Sequence, residues 1–136
     1  MRIEKIINNI YHNPFNIKFA IISASFNGPI AAIVNSAHTS LDMITAGASQ
    51  AISSFISTGL TARLVQHFSP IDNKFVSYFL GTSLPAAATF LLSYTAHYLN
   101  DTPELLESCI APTLISYTTS FGTNYITRKG YLLPKN

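Results

Sequence analysis

Two histidines and two aspartates repeat in the same order along the chain, and they are the side chains best suited to metal chemistry. His38 precedes Asp42 by four residues, and His97 precedes Asp101 by the same four. Imidazole and carboxylate groups are the usual protein ligands of Zn²⁺ and non-haem iron, and two histidines on separate helices also bind haem axially. The sequence therefore offers a metal or haem site at these four residues, with interfacial hydrogen bonding as the structural alternative.

Other catalytic chemistry has little support. The chain contains no P-loop, no dinucleotide-binding glycine fingerprint, no GxSxG nucleophile motif and no HExxH pair. The single cysteine, Cys109, excludes an internal disulfide and a cysteine metal cluster. We therefore expect a protein without catalytic residues and without a cofactor. The alternative is a protein that binds a metal ion or haem.

The composition indicates a membrane protein. Charged residues make up 10% of the 136 residues, and hydrophobic residues make up 48%. A soluble domain usually carries about 25% charged residues, and a chain this short has much surface to cover for its volume. A disordered chain is excluded because it would hold fewer apolar residues. The net charge of +2 is too small to argue for nucleic acid.

Four stretches contain no charged residue and are long enough to cross a bilayer, which needs about 20 mostly apolar residues. They cover 19–41, 43–62, 75–100 and 108–127. The second is rich in Ser, Thr and Gly and is expected to cross only when neighbouring helices shield it. The sequence predicts an all-α fold, a polytopic integral membrane protein built as a four-transmembrane-helix bundle. Residues 1–136 then form a single membrane domain, with spans at about 17–37, 43–63, 75–98 and 107–127.

The charges that flank these stretches separate by sign. With four spans, one side of the membrane holds every Lys and Arg, and the opposite side holds only acidic residues, namely Asp42, Asp101, Glu104 and Glu107. Basic residues concentrate in cytoplasmic loops, so we expect both ends of the chain in the cytoplasm. The expected location is the bacterial cytoplasmic (inner) membrane, with multiple passes.

The segment before the first span is too long and too polar to suit a cleaved signal peptide. Isoleucines recur in it at helical spacing, at Ile3, Ile6, Ile7 and Ile10. We expect this segment either to lie on the inner membrane surface as an interfacial helix or to form a frayed tail.

Polar side chains recur at helical spacing within three of the spans, so that each set shares one helix face. The polar intramembrane face is predicted to comprise Asn27, Asn35, Gln50, Ser54, Ser57 and Asn124. The stripe of the fourth span also includes Ser116, Tyr117 and Ser120. Uncompensated amides in hydrocarbon are costly, so these faces should point into the bundle.

The remaining faces suit lipid and close helix packing. Large apolar residues on faces opposite the polar ones are predicted to contact lipid: Ile22, Phe26, Ile33, Ile52 and Ile56. Small residues spaced by four allow helix backbones to approach closely, and here they are Ala24, Gly28, Gly47 and Ala51.

The two halves of the chain also resemble each other. Pro29 followed by His38 is matched by Pro85 followed by His97, at offsets of 56 and 59 residues. One interpretation is a duplicated helical hairpin, in which the first and third spans are neighbours at their outer ends. The other is coincidence within the small alphabet of membrane helices.

The polar faces have two explanations, interhelical hydrogen bonds or a polar path or ligand pocket. No charged residue lies in the middle of a span, which argues against an ion- or proton-coupled pump. We expect a protein of the lipid bilayer that acts in small-molecule or lipid transport, or as a subunit of a larger membrane assembly. It would work as a homo-oligomer or with other membrane proteins, and without nucleic acid. The alternative is a membrane-embedded enzyme or metal- or haem-binding protein with an outer-face His/Asp site.

Overall fold

The computed structural model describes residues 16–129 and consists of four α-helices, with no strand in that range. The helices are α1 (Ile17–Val34), α2 (Ser40–Phe68), α3 (Lys74–Leu99) and α4 (Leu105–Arg128). The all-α, four-helix prediction is confirmed. The interfacial helix predicted around Ile3–Ile10 lies outside the described residues.

Side-chain caps set where the helices begin. Asn16 and Asn73 accept hydrogen bonds from backbone N–H groups in the first turns of α1 and α3. At the start of α2, Thr39 and Asp42 form a reciprocal capping box, which satisfies N–H groups that have no partner within the helix. α1 ends at Val34, and this cap begins α2 after a short loop.

The bundle consists of two helical hairpins, and not every pair of its helices is in contact. The first hairpin pairs α1 with α2, and the second pairs α3 with α4. α2 contacts each of the other helices, whereas within residues 16–129 α1 and α3 do not contact each other. The prediction that the first and third helices are neighbours is therefore wrong, because α2 and α4 meet across the bundle between them.

The first hairpin is held by a close approach of two helix backbones. A Cβ added to Gly28 would lie 3.0 Å from Ala51 Cβ and 3.1 Å from the Gly47 carbonyl oxygen. A Cβ on Gly47 would lie 3.1 Å from Ala32 Cβ. These distances leave no room for a side chain, so the predicted small-residue contact is confirmed between α1 and α2.

The two ends of the bundle differ in charge. The loops 35–39 and 100–104 lie together at one end, which we call the acidic end because it also carries Asp42 and Glu107. The loop 69–73 and the end of α4 lie at the other, the basic end, which carries Lys74 and Arg128. The acidic and basic residues that the sequence assigns to opposite sides of the four spans therefore lie at opposite ends of the bundle.

Two helices are long and apolar enough, by length and composition, to cross a membrane. They are α1 and α3, and within residues 16–129 neither α2 nor α4 passes the same test. The membrane character of the whole bundle therefore stays a prediction.

Candidate functional site

His38 and Asp42, two of the four predicted metal ligands, have hydrogen-bond partners at the acidic end. His38 Nε2 lies 2.9 Å from Glu104 Oε1, which joins the loop 35–39 to the start of α4. Asp42 Oδ2 accepts hydrogen bonds from the backbone N–H of Thr39 at 3.2 Å and from its hydroxyl at 2.7 Å. Both side chains are therefore engaged in joining or capping helices.

His97 lies at the acidic end of α3, where its side chain is fully buried inside the bundle. Its Nε2 lies 2.8 Å from Gln50 Oε1 and its Nδ1 lies 3.0 Å from Thr102 Oγ1. Because an amide oxygen only accepts, Nε2 carries the proton and Nδ1 accepts from the Thr102 hydroxyl. A metal ion bound to either nitrogen would have to displace one of these partners. Gln50 explains the burial of His97, because a buried amide needs a hydrogen-bond partner and the His97 ring supplies one.

Asp101 ends α3 in the left-handed conformation. Its φ is 47°, and its N–H donates to the Tyr98 carbonyl at 3.3 Å while the Thr102 N–H donates to the His97 carbonyl at 3.1 Å. This pair of bonds is the Schellman arrangement, in which one residue beyond the helix must adopt positive φ. Aspartate tolerates that conformation better than most residues, which explains its place here without a metal.

The described residues do not bring the four predicted ligands into a metal centre. In residues 16–129, no group of three or more His, Cys, Asp or Glu side chains is placed so as to hold an ion. The metal or haem therefore stays a prediction, and the geometry points to other features of the bundle.

A hydrogen-bond network built on Gln50 fills the acidic half of the core. Gln50 Nε2 donates to Ser54 Oγ at 2.7 Å and to Ser93 Oγ at 3.3 Å, and its Oε1 accepts from His97. The network thereby links α2 to α3 and, through Thr102, to the loop that follows. All hydrogen-bonding groups of the Gln50 amide are used, so this part of the polar face packs the bundle.

Asn35 closes the junction between α1 and α4 at the acidic end. Its Nδ2 donates to the Ala31 carbonyl and to Ser108 Oγ, each at 2.9 Å. Its Oδ1 accepts the backbone N–H of Glu104 at 3.1 Å. That N–H precedes the first turn of α4, where no side-chain cap is present. Asn35 is fully buried, and both ends of its amide are satisfied.

Asn124 holds the second hairpin together near the basic end. Its Nδ2 donates to the Ser77 carbonyl at 2.8 Å, and its Oδ1 accepts from the Ser77 hydroxyl at 3.3 Å. A Cβ on Gly81 would overlap the Asn124 amide, which would then have to move from its position against Ser77. Arg128 Nη1 donates to the Ser69 carbonyl at 2.8 Å, a contact that the sequence analysis did not anticipate. Its signal was present, since a basic residue in a last helical turn often binds free carbonyls.

The six residues predicted for the polar face all lie inside the bundle. None of them is more than 3% exposed; they are Asn27, Asn35, Gln50, Ser54, Ser57 and Asn124. Tyr117, predicted on the same stripe of α4, is instead 48% exposed. The prediction for Tyr117 is wrong because residues 116 and 117 differ by about 100° around a helix, and Ser116 takes the inward position, where its Oγ accepts from Thr89 at 2.9 Å.

A cleft of about 600 Å³ separates α1 from α4 away from the acidic end. Its walls are mainly apolar, formed by side chains such as Phe26 of α1 and Ile115 of α4, and Val65 of α2 lies at its base. Asn27 and Ser116 add polar groups to the wall. Ile22 and Phe26, which the sequence analysis assigned to lipid contact, line this cleft. The cleft itself was not predicted, because its width depends on how far α1 and α4 diverge.

No protein-family model, no curated protein and no solved structure matches this chain. Its function must therefore be inferred from the geometry of its own residues, chiefly the polar core and the cleft.

Proposed function

We propose that this chain is a multi-pass protein of the bacterial inner membrane that has no catalytic chemistry of its own and acts in the transport of small molecules or lipids. In this proposal all four helices cross the bilayer, and both ends of the chain are cytoplasmic. Work as a subunit of a larger membrane assembly is compatible with the same placement.

The observation that carries the proposal is the inverted polarity of the bundle. Among the largest fully buried side chains are His97, Gln50, Asn35 and Asn124. Every helix exposes large apolar residues, and at least one on each is more than 60% exposed, for example Ile33, Ile52, Leu91 and Leu114. Leaving such a side chain in water instead of burying it costs about 1.5–3 kcal/mol. A hydrocarbon solvent removes that cost and favours the internal pairing of polar groups.

The low hydropathy of α2 is compatible with a membrane span. Its polar side chains lie mostly on the buried face, where Gln50, Ser54 and Ser57 are at most 1% exposed. Its outward face carries Ile44 and Ile52, each more than 60% exposed. A span is selected by what faces the lipid as well as by its average composition, and helices with polar inner faces pack by interhelical hydrogen bonds.

The charge distribution supports the orientation. Lys18, Lys74 and Arg128 lie at the basic end, and Asp101 and Glu104 lie at the acidic end. Because basic residues concentrate in cytoplasmic loops, the basic end is assigned to the cytoplasm.

Cysteine labelling tests this placement with a matched pair of prolines. Pro70 and Pro103 are both exposed loop residues, one at each end of the bundle. In a Cys109→Ala background, a membrane-impermeant maleimide should label Pro103→Cys in intact cells. It should label Pro70→Cys only after the cells are permeabilised. The reverse pattern overturns the orientation, and equal labelling of a soluble fraction overturns the membrane placement.

A further inference from the structure

We propose that the cleft between α1 and α4 binds an uncharged lipid with a hydroxyl head group on one hydrocarbon chain, such as a long-chain alcohol. This inference rests on the proposed membrane function and names the class of molecule that the bundle would take.

One polar side-chain atom on the wall of the cleft is buried without a hydrogen-bond partner in residues 16–129. This atom is Asn27 Oδ1, and the hydroxyl-bearing residues Thr61 and Ser120 line the same cleft. These residues come from α1, α2 and α4, and they are only 3%, 5% and 6% exposed. An unpaired buried group costs about 1–3 kcal/mol, so a ligand that pairs with Asn27 Oδ1 gains energy of that order.

The unpaired oxygen of Asn27 on the cleft wall is what indicates a ligand. Thr82 and Thr127 also carry unpaired buried hydroxyls, but neither residue lines the cleft. Serine and threonine hydroxyls within helices usually bond to the carbonyl one turn earlier, as Thr89 does to Pro85 at 3.0 Å. Asn27, an amide, has no such bond available for its oxygen.

A hydroxyl is the head group that fits Asn27 best. Asn27 Nδ2 donates to Ser23 Oγ at 3.0 Å, and that oxygen also accepts from Thr58 Oγ1 at 2.8 Å. If the amide were turned over, its oxygen would accept from Ser23 and its nitrogen would become the unpaired group. A ligand hydroxyl both donates and accepts, so it satisfies either orientation of the amide.

The rest of the cleft favours an uncharged hydrocarbon chain. No Asp, Glu, Lys, Arg or His side chain is among its lining residues within the described range. Ile22, Phe26 and Ile115 supply apolar wall. A volume of about 600 Å³ lies within the range of about 300–1,000 Å³ that is usual for small-molecule sites. A carboxylate would enter this cleft without a cation to pair with, at a high desolvation cost.

A series of ligands tests the head group on the wild-type chain. The full-length protein in phosphatidylcholine nanodiscs is titrated with 1-hexadecanol, hexadecane or palmitate, and thermal unfolding reports binding. We expect saturable stabilisation by 1-hexadecanol, and at least about tenfold weaker binding of hexadecane and palmitate because each lacks the uncharged hydroxyl. Equal effects of all three compounds, or no saturable effect of the alcohol, overturn the proposal.

Variants test the location. Gly122 lies on the cleft wall, and a Cβ there would meet nothing within 4 Å, so Gly122→Phe should fill the cleft and abolish the effect of 1-hexadecanol. Leu114→Phe is the matched control on the same helix, since Leu114 is exposed and outside the cleft. Asn27→Leu should raise the Kd for 1-hexadecanol about 3- to 10-fold. Unchanged binding in Gly122→Phe and Asn27→Leu places the lipid elsewhere and overturns the assignment.

Two further conservative variants, Thr61→Val and Ser120→Ala, keep the test decisive if Asn27→Leu does not fold. Each should weaken 1-hexadecanol binding by a few-fold, and unchanged binding in both overturns the assignment. Failure of lipid binding with the predicted labelling at positions 70 and 103 rejects this inference alone. Reversed or soluble labelling rejects the membrane proposal, whatever binds to the cleft.

Discussion

The seam where α1 faces α4 contains two asparagines in contrasting states, Asn27 within α1 and Asn35 at its C-cap. Asn35 and Asn27 are eight residues apart on one predicted helix face, and both are buried. Asn35 binds Ser108 and the Glu104 N–H, and its amide is fully satisfied. Asn27 binds only Ser23 and leaves its oxygen unpaired beside the cleft. One end of the seam is therefore closed by hydrogen bonds, and the rest is open.

The difference shows that burial of a polar residue does not by itself reveal its role. At the acidic end the Asn35 amide takes the place of a helix cap, so its hydrogen bonds stabilise the fold. In the cleft the Asn27 amide has an oxygen without a hydrogen-bond donor. Unsatisfied polar groups in a native structure call for an explanation, and a ligand is the explanation proposed for Asn27.

Asn35→Leu should have the largest effect. Leucine has a similar size but leaves the Glu104 N–H without its acceptor and removes the bond to Ser108. We expect the free energy of unfolding to fall by about 3 kcal/mol, since an unpaired buried group costs about 1–3 kcal/mol and other bonds are lost with it. Reversible unfolding in mixed micelles measures the change. A loss below about 1 kcal/mol would show that Asn35 does not close the seam.

His38→Ala should have a smaller effect at the same end. The His38 and Glu104 side chains are 35% and 39% exposed, and exposed pairs of this kind contribute about 0–1 kcal/mol. We expect a loss of less than about 1 kcal/mol in the same unfolding assay at pH 7. A loss as large as that of Asn35→Leu would show that the exposed His38–Glu104 pair, and not the buried Asn35 amide, holds this end of the seam closed.

Asn27→Leu should change stability least when no ligand is added. The same chemical substitution removes one hydrogen bond and one unpaired buried oxygen together, and these contributions are opposite in sign. The expected change lies within about 0.5 kcal/mol of zero, with Asn35→Leu as the matched comparison on one helix face. A loss near 3 kcal/mol would make both asparagines structural.

The sequence was sufficient for the elements and most of their inward faces. Charge-free stretches located all four helices, and helical spacing identified Gln50 and Asn124 as buried. Spacing by four also predicted the contact of Gly28 with Gly47. These features depend on local periodicity, which a single sequence contains.

The sequence was insufficient where the answer depends on partners from distant helices. It grouped His97 with other metal-ligand candidates at the outer face and did not reveal that Gln50, 47 residues away, is hydrogen-bonded to its Nε2. It put Asn27 and Asn35 on one stripe and had no means to tell that Ser108, 73 residues from Asn35, satisfies only the second. The width of the cleft likewise depends on the path of α4 relative to α1.

Photolabelling tests the open part of the seam most directly. The full-length protein in nanodiscs is irradiated with a diazirine analogue of 1-hexadecanol, and the adducts are mapped by mass spectrometry with and without excess 1-hexadecanol. We expect the competed adducts on cleft residues such as Phe26, Ile115 and Thr119. Adducts that resist competition and spread equally over lipid-facing positions such as Ile33, Ile52 and Leu91 would contradict it.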